Sequence, residues 1–237
     1  MTHDWERIAA SEAFFGVLTA DKYRAAQLTP ERIAEFYATG DADIGWVIDT
    51  FRRVEGVAPA NGTALDIGCG VGRLAKAMCA HASKVIGYDV SDSMLALARQ
   101  HAGEGVGYVT AFPAGPFDWI NSFVVLQHIE PPEGIALLKR ALGGLAPGGF
   151  ASIQVTAWRT AHQLPSGLQK LKRAAHFALA RAGARPAEAL IQMHDYALTD
   201  VIQAFVEAGI GEQHLVHTDN GGHHGVWVFG RKSVVGR

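Results

Sequence analysis

Cysteine is scarce: Cys69 and Cys79 are the two in 237 residues. Two cannot build the disulfide framework of a small secreted scaffold, so a reducing, cytoplasmic setting is expected. Long apolar runs are missing as well. None approaches the roughly 20 residues of a spanning helix, so stable membrane insertion is not expected. The opening "MTHDWERIAASEAFF" carries acids early in place of a basic-then-apolar leader and predicts no export signal. Neither sign of charge dominates: the net charge is −2, which removes the general electrostatic reason to expect nucleic acid as a partner. Internal repeats and low-complexity tracts are absent from the sequence. What is present, 49% hydrophobic and 19% charged residues, is the composition of a globular chain long enough for one large domain with a full core.

The first 60 residues read as helices. "DWERIAASEAFFGVLT" and "TPERIAEFYATG" place apolar residues at helical spacing. Thr29 is a good N-cap with Pro30 at the first helical position, although Arg32 stands where a reciprocal capping box would want an acid. "DIGWVIDTFRRVEG" predicts a third helix, with Ile44, Val47, Ile48 and Phe51 on one face and Gly56 as its stop. From residue 63 the rhythm changes. "TALDIGCG", "KVIGYDV", "GVGYVTA", "FDWINSFVVL" and "GFASIQVTAW" are short apolar runs, and most are followed by helix-length segments. That alternation predicts a parallel sheet covered on both faces. "LTDVIQAFVEAG" then predicts an amphipathic helix capped by Thr199, and "GEQHLVHTD" with "HGVWVFGRK" an antiparallel hairpin turning at Gly221 and Gly222.

Within "LDIGCGVGRL" a strand runs into Gly68, Gly70 and Gly72 and then into a helix. Glycines let a backbone approach a ligand closely, and the following helix offers free amides. Alone this licenses a nucleotide-binding turn and no more. "VIGYDVS" ends the second strand with Asp89, where an acid can accept hydrogen bonds from a ribose diol. The G-x-G-x-x-G of a dinucleotide-binding turn is lacking, since Arg73 occupies its last place.

With "LDIGCGVGRLA", "VIGYDVSDSMLALAR", "FDWINSFVVLQHIEP" and "LKRALGGLAPGGFASIQV" in order over residues 62 to 156, the chain resembles the class I S-adenosylmethionine-dependent methyltransferases. The resemblance implies a single methyltransferase domain with an α/β, doubly wound, Rossmann-like sheet of seven strands. Its order would be 3-2-1-4-5-7-6, with strand 7 antiparallel. The chain would divide into a helical cover over 1–60, a cofactor-binding core over 61–157, a helical lid insertion over 158–195, and a final helix and hairpin over 196–237.

The resemblance also implies roles. Gly68, Cys69 and Gly70 would pass their backbone against the methionine part of S-adenosylmethionine, and Asp66 would order that turn and meet the amino group. Asp89 would hold the ribose hydroxyls, Val90 and Met94 would lie on the adenine, and Leu126 and Gln127 would line the floor near the transferred methyl. The acid this family usually carries after strand 3 is missing, which leaves the Ala111 backbone and the Phe112 ring as substitutes. Cys69 also reads as a small packing residue and Met94 as core filler. The implied activity is methyl transfer to an oxygen or nitrogen of a small, polar metabolite. The N-P-P-Y-type motif of amino-methylating nucleic-acid enzymes is absent. The other class open to such a motif set is a cofactor-binding regulator or partner subunit without turnover.

Acids are absent from residues 157–187, which hold six Lys or Arg, so the rest of the chain carries about −8. This run reads either as a solvated helix face or as an attractor for an anionic acceptor. His128 is the first candidate for a general base or substrate contact, with a hydrogen-bonded structural histidine as the alternative. His194 with Asp195 and Tyr196, Tyr37, and one of His217, His223 and His224 are further candidates. His223 and His224 are adjacent on a strand and face opposite ways, and the spacing matches no standard zinc pattern, so no metal is expected. Family topology places the 217–224 turn on the cofactor side of the sheet.

Overall fold

The computed structural model describes residues 2–160, 175, 178–180, 182–184, 191–219 and 221–234. Helix α1 (Thr2–Val17) is kinked at Glu12. Helix α2 runs unbroken over Pro30–Glu55, where two helices were expected. Its start and end are as expected. Thr29 Oγ1 accepts from the Arg32 amide at 3.3 Å, and Gly56 closes the helix in the left-handed conformation. Gly40 did not break the helix because it is a packing site. A Cβ there would lie 2.5 Å from the Arg73 carbonyl oxygen, so the close approach of the next helix offsets the roughly 1 kcal/mol that glycine costs inside a helix.

The sheet comprises β1 (Thr63–Ile67), β2 (Lys84–Tyr88), β3 (Val106–Val109), β4 (Phe117–Ser122), β5 (Leu145–Arg159), β6 (Gln213–Asp219) and β7 (His223–Arg231). Their order is β3-β2-β1-β4-β5-β7-β6, with β7 antiparallel to both neighbours, as the resemblance implied. Further α-helices among the described residues are α3 (Arg73–Met78), α4 (Asp92–Gln100), α5 (Pro131–Gly143) and α6 (Leu198–Glu207). Helix α6 begins one residue before Thr199, and its cap position is Ala197 with no side-chain bond, so Thr199 is not the cap.

Alternation along the strands sorts the core. Leu65, Ile67, Ile120, Ile153, Val226 and Val228 pack under α5 and α6, while Ala64, Val85, Trp119, Phe150, Trp227 and Phe229 pack under α2, α3 and α4. Both faces are covered, as a parallel sheet requires. A third cluster joins α1 to α2 through Ile8, Phe14, Tyr23 and Phe36, and Ala180 is buried in it. Most of the basic run and of the expected lid helix lies outside the described residues. Asp118 is a structural acid: its Oδ2 accepts from the Thr63 amide at 2.7 Å and ties β4 to the start of β1.

Candidate cofactor site

Strand order reverses between β1 and β4, and at such a switch point the connections leave on opposite faces and open a crevice at the strand ends. A cavity of about 280 Å³ lies there. The glycine turn after β1 forms one wall. Gly68 and Cys69 both donate their amides to the Tyr88 carbonyl, at 2.7 and 3.1 Å, which hooks the turn onto the end of β2. Gly68, Gly70 and Gly72 all have positive φ, and a side chain at Gly68 would collide with Val125. The turn therefore needs glycine both for conformation and for room.

Of the three acidic residues that line this cavity, Asp66, Asp89 and Glu133, the first two flank the glycine turn. Asp66 is buried, and Asn121 Nδ2 donates to its Oδ1 at 3.0 Å. Asn121 Oδ1 accepts from Ser152 Oγ at 2.8 Å, and Ser152 Oγ accepts from Trp119 Nε1 at 3.0 Å. This relay across β4 and β5 fixes the orientation of Asp66 and leaves its Oδ2 without a partner. Burial raises the Asp66 carboxyl to about 7, against the opposing pull of Asn121 and of the nearby Arg73 cation. Asp89 Oδ2 accepts from the Gly70 amide and its Oδ1 from the Ser91 amide, each at 2.9 Å. Burial raises this carboxyl too, partly countered by those amides.

Helix α1 supplies Trp5, Gly16 and Val17 to the cavity, and the end of β4 supplies Phe123, Val124 and Val125. Val124 adopts φ 60°, a conformation costly for a β-branched residue. Its amide donates to Gln154 Oε1 at 3.1 Å, which holds the strained backbone against the cavity. None of these residues was singled out by sequence reasoning except through the β4 motif as a whole, and nothing local marks α1 as a wall.

The sequence-derived candidates separate into two groups. Asp66, Gly68, Cys69, Gly70, Asp89, Val90, Met94 and His128 line the cavity together. Met94 is also a member of the α1–α2 cluster, and Cys69 packs in the core with its thiol pushed up by burial, so both carry the bland role as well. Ala111, Phe112, Leu126, Gln127, His194 and His224 are not among the lining residues. Phe112 instead packs edge-on to Tyr88 at 5.1 Å and beneath the Arg140 guanidinium at 4.4 Å, and of these two rings it is Tyr88 that lines the cavity. Leu126 belongs to the core under α5. Tyr37 stands behind the glycine turn, donating its hydroxyl to the Val71 carbonyl at 2.9 Å.

His128 sits edge-to-face with Trp5 at 5.3 Å. Its Nδ1 lies 2.6 Å from the Gln192 carbonyl oxygen and must donate; its Nε2 lies 3.3 Å from the Gln127 amide nitrogen. Gln127 is oriented by Thr156, whose hydroxyl donates to Gln127 Oε1 at 2.7 Å. Burial holds His128 below the usual histidine range, so it is a neutral ring with both nitrogens engaged. His194 binds the same wall from behind: its amide donates to the Gln127 carbonyl at 2.6 Å, and its ring approaches Glu130 at 3.4 Å. Tyr196 is buried and donates to the Ile129 carbonyl at 2.9 Å, and Asp195 takes Arg159 with both oxygens, at 2.7 and 3.0 Å.

The 217–224 turn is on the carboxyl side of β5, since His223 pairs with Arg159. Across the hairpin His217 pairs with Val226 and His224 with Asp219, and the two histidine rings meet on the diagonal: their Nε2 and Nδ1 lie 3.1 Å apart, and Trp158 stacks on both rings. The turn itself is held by Asp219, which accepts from the Gly222 amide at 2.7 Å. Strands stand about 5 Å apart, so β7 lies about 10 Å and β6 about 14 Å from β4 along the sheet. That lateral distance keeps these histidines out of the cavity.

A seven-stranded sheet of this order, with a glycine turn after β1 and an acid ending β2, is the class I S-adenosylmethionine-dependent methyltransferase fold. Residues 64–149 match the family model described as "Methyltransferase domain". Among curated proteins, ubiquinone biosynthesis O-methyltransferases of Coxiella burnetii and Thiobacillus denitrificans are 31% identical over 94 residues and 34% over 110. Those matches cover 36% and 42% of this chain and 39% and 47% of the relatives, so the chain spans less than half of their length. Among solved structures, magnesium protoporphyrin IX methyltransferase of Synechocystis PCC 6803, with bound SAH, superposes with a TM-score of 0.60 at 18% identity, covering 94% of this chain and 97% of its own. An amino pentose methyltransferase of Micromonospora echinaspora, with bound SAM, gives a TM-score of 0.57 at 17% identity over 86% of this chain and 98% of its own.

Proposed function

We propose that this protein transfers the methyl group of S-adenosylmethionine to an oxygen or nitrogen of a small, polar acceptor in a cytoplasmic setting. The observation that carries the reading is the convergence of the Gly68–Gly70 turn, the unpartnered Asp66 oxygen and the Asp89 carboxylate on one cavity. The bound cofactor would supply an electrophilic methyl on a sulfonium. An in-line displacement on such a centre needs positioning above all. The Asp66 oxygen fits an ammonium group, Asp89 a ribose diol, and the glycine backbone a chain that must pass close by. Val90 and Met94 offer apolar contact to the base, and Trp5 and Val17 on α1 exclude water from above.

His128 serves in this reading as a rigid wall, since neither ring nitrogen is free to take a proton. The ubiquinone biosynthesis O-methyltransferase relatives support oxygen as the methylated atom. Calorimetry with S-adenosylmethionine and S-adenosylhomocysteine tests the first step, and isotope transfer from methyl-labelled cofactor into small-molecule extracts the second. A folded protein that binds neither ligand would sink the proposal.

A further inference from the structure

Helix α1 changes direction inside its own length. At Glu12 the backbone leaves the helical region, with φ −143° and ψ 45°. Ile8 and Gly16 would stand about 12 Å apart along a straight helix, yet a Cβ at Gly16 would lie 2.6 Å from Ile8 Cγ2. Residues 2–11 therefore double back on residues 13–17, and Gly16 is the seat that receives Ile8.

The two halves are held by different partners. Residues 13–17 are anchored to α2, where Phe14 meets Phe36 edge-on at 4.9 Å and Tyr37 at 6.4 Å. The pivot is fixed as well, since Glu12 accepts from the Ala25 amide at 2.9 Å. Residues 2–11 reach over the cavity instead. Glu6 accepts from the Ser93 hydroxyl at 2.5 Å and from the Ser93 amide at 3.4 Å. Ser93 is in the first turn of α4, where free amides favour a carboxylate. The Ser93 hydroxyl holds the Glu6 carboxyl below the usual carboxylate range. Trp5, one residue earlier, lines the cavity and stands edge-on to His128 at 5.3 Å. One contact follows β2 and the other follows β4, so this half of α1 spans the crevice between them.

A segment that bridges both sides of a cavity blocks it, and a break in the helix beside it is where a hinge absorbs the change in backbone angles. We propose that residues 2–11 form a strap hinged at Glu12 and latched by Glu6 to Ser93, and that unlatching it is the step through which the cofactor enters and its product leaves. The proposal rests on the S-adenosylmethionine reading and adds a gate to it.

Surface plasmon resonance on the immobilised full chain separates the association and dissociation rates of S-adenosylhomocysteine. Glu6→Ala is expected to raise both, release by about fivefold or more, because a weaker latch opens the cavity more often with or without ligand. Ser93→Ala removes the same latch from the α4 side; it should do the same and stands in if Glu6→Ala does not fold. Hydrogen exchange locates the motion: amides of residues 2–11 should exchange faster in either variant, and those of residues 13–17 as in the wild type. Faster release with unchanged or slower association overturns the proposal, because that is the mark of a lost contact and not of a gate. Rates equal to wild type in a folded variant do the same, as does exchange that quickens on both sides of Glu12. If the wild type binds no S-adenosylhomocysteine, the cofactor reading itself fails, and the gate with it.

Discussion

The amide of Gly70 donates to Asp89 Oδ2 at 2.9 Å, so the glycine turn after β1 and the acid that ends β2 are one hydrogen-bonded unit. The second oxygen of the same carboxylate caps the approach to α4 through the Ser91 amide. An acid at this position therefore does two things. It presents lone pairs to the cavity, and it holds the loop that the ligand's backbone-facing side would touch. Asp89→Ala should cost more than its ligand contacts alone. Charge-assisted hydrogen bonds contribute about 1.5–3 kcal/mol each, so S-adenosylhomocysteine affinity should fall by at least tenfold. Asp89→Asn, which keeps one carbonyl oxygen for Gly70, should fall less. Calorimetry on both variants checks the ordering; equal affinity of Asp89→Ala and wild type would place the ribose elsewhere.

Asp66 gives the binding a pH dependence whose sign follows from its burial. With its carboxyl raised to about 7 in the free protein, a proton competes with the ligand's ammonium below that pH. Affinity for S-adenosylhomocysteine should rise from pH 6 to pH 8 by up to about tenfold, one pKa unit corresponding to 1.36 kcal/mol. Stability of the free protein should move oppositely. The folded form holds a proton that the unfolded chain releases near pH 4, so the Asp66 contribution to stability falls as pH rises from about 4 to about 7 and is flat beyond. Asp66→Asn should flatten both profiles. A wild-type dissociation constant independent of pH over this range would mean that Asp66 does not receive the cation.

The parts of this site written in short local patterns were legible. Gly68, Gly70 and Asp89 announce themselves because a positive φ and a strand-ending acid are local facts with one chemical use. The sheet order came with the family resemblance. Residues that reach the cavity by long-range packing were not legible. Nothing within "THDWERIAASEAFFGV" tells that Trp5, Gly16 and Val17 roof the cavity, since its periodicity marks a buried face but not what it covers. Phe112 was expected at the adenine. It turns against Tyr88 and Arg140 instead, a choice made by the opposite face of the sheet. Arg73 was visible only as a departure from the dinucleotide motif. Its place in the cavity wall is fixed by Asp43 and Thr39, which stand on another helix 30 and 34 residues earlier.

Gly40 shows how tertiary packing overrides a local rule, and it yields a mutational prediction. On propensity alone Gly40→Ala should stabilise α2 by up to about 1 kcal/mol. The added Cβ would stand 2.5 Å from the Arg73 carbonyl oxygen and 3.0 Å from its Cγ. Backbone cannot yield cheaply there, so overpacking should dominate and cost about 1–3 kcal/mol. Because the displaced residue is Arg73, which lines the cavity, the variant should also lose S-adenosylhomocysteine affinity. Thermal denaturation checks the first statement. A melting temperature at or above wild type would show that α2 and α3 approach less closely than described.

The histidines of the last hairpin provide the final contrast. His217 and His224 share an N–H···N contact of 3.1 Å beneath Trp158, and His224 also meets Thr160 Oγ1 at 2.6 Å. They hold the edge of the sheet to the end of β5 and stand about two strand spacings or more from the cavity wall. His217→Ala and His224→Ala should each lower stability by about 0.5–2 kcal/mol through lost stacking and hydrogen bonding. Turnover and cofactor affinity should stay within about twofold, well under the 1.4 kcal/mol that a tenfold change represents. Trp5→Ala should behave in the reverse way: it removes a cavity wall and the edge contact to His128, so ligand affinity should drop while the distant hairpin is undisturbed. Measured side by side with the same ligand, these three variants decide which region touches the cofactor. A large loss of turnover in His224→Ala with unchanged affinity would move the acceptor to the β6–β7 rim and away from the β1–β4 crevice.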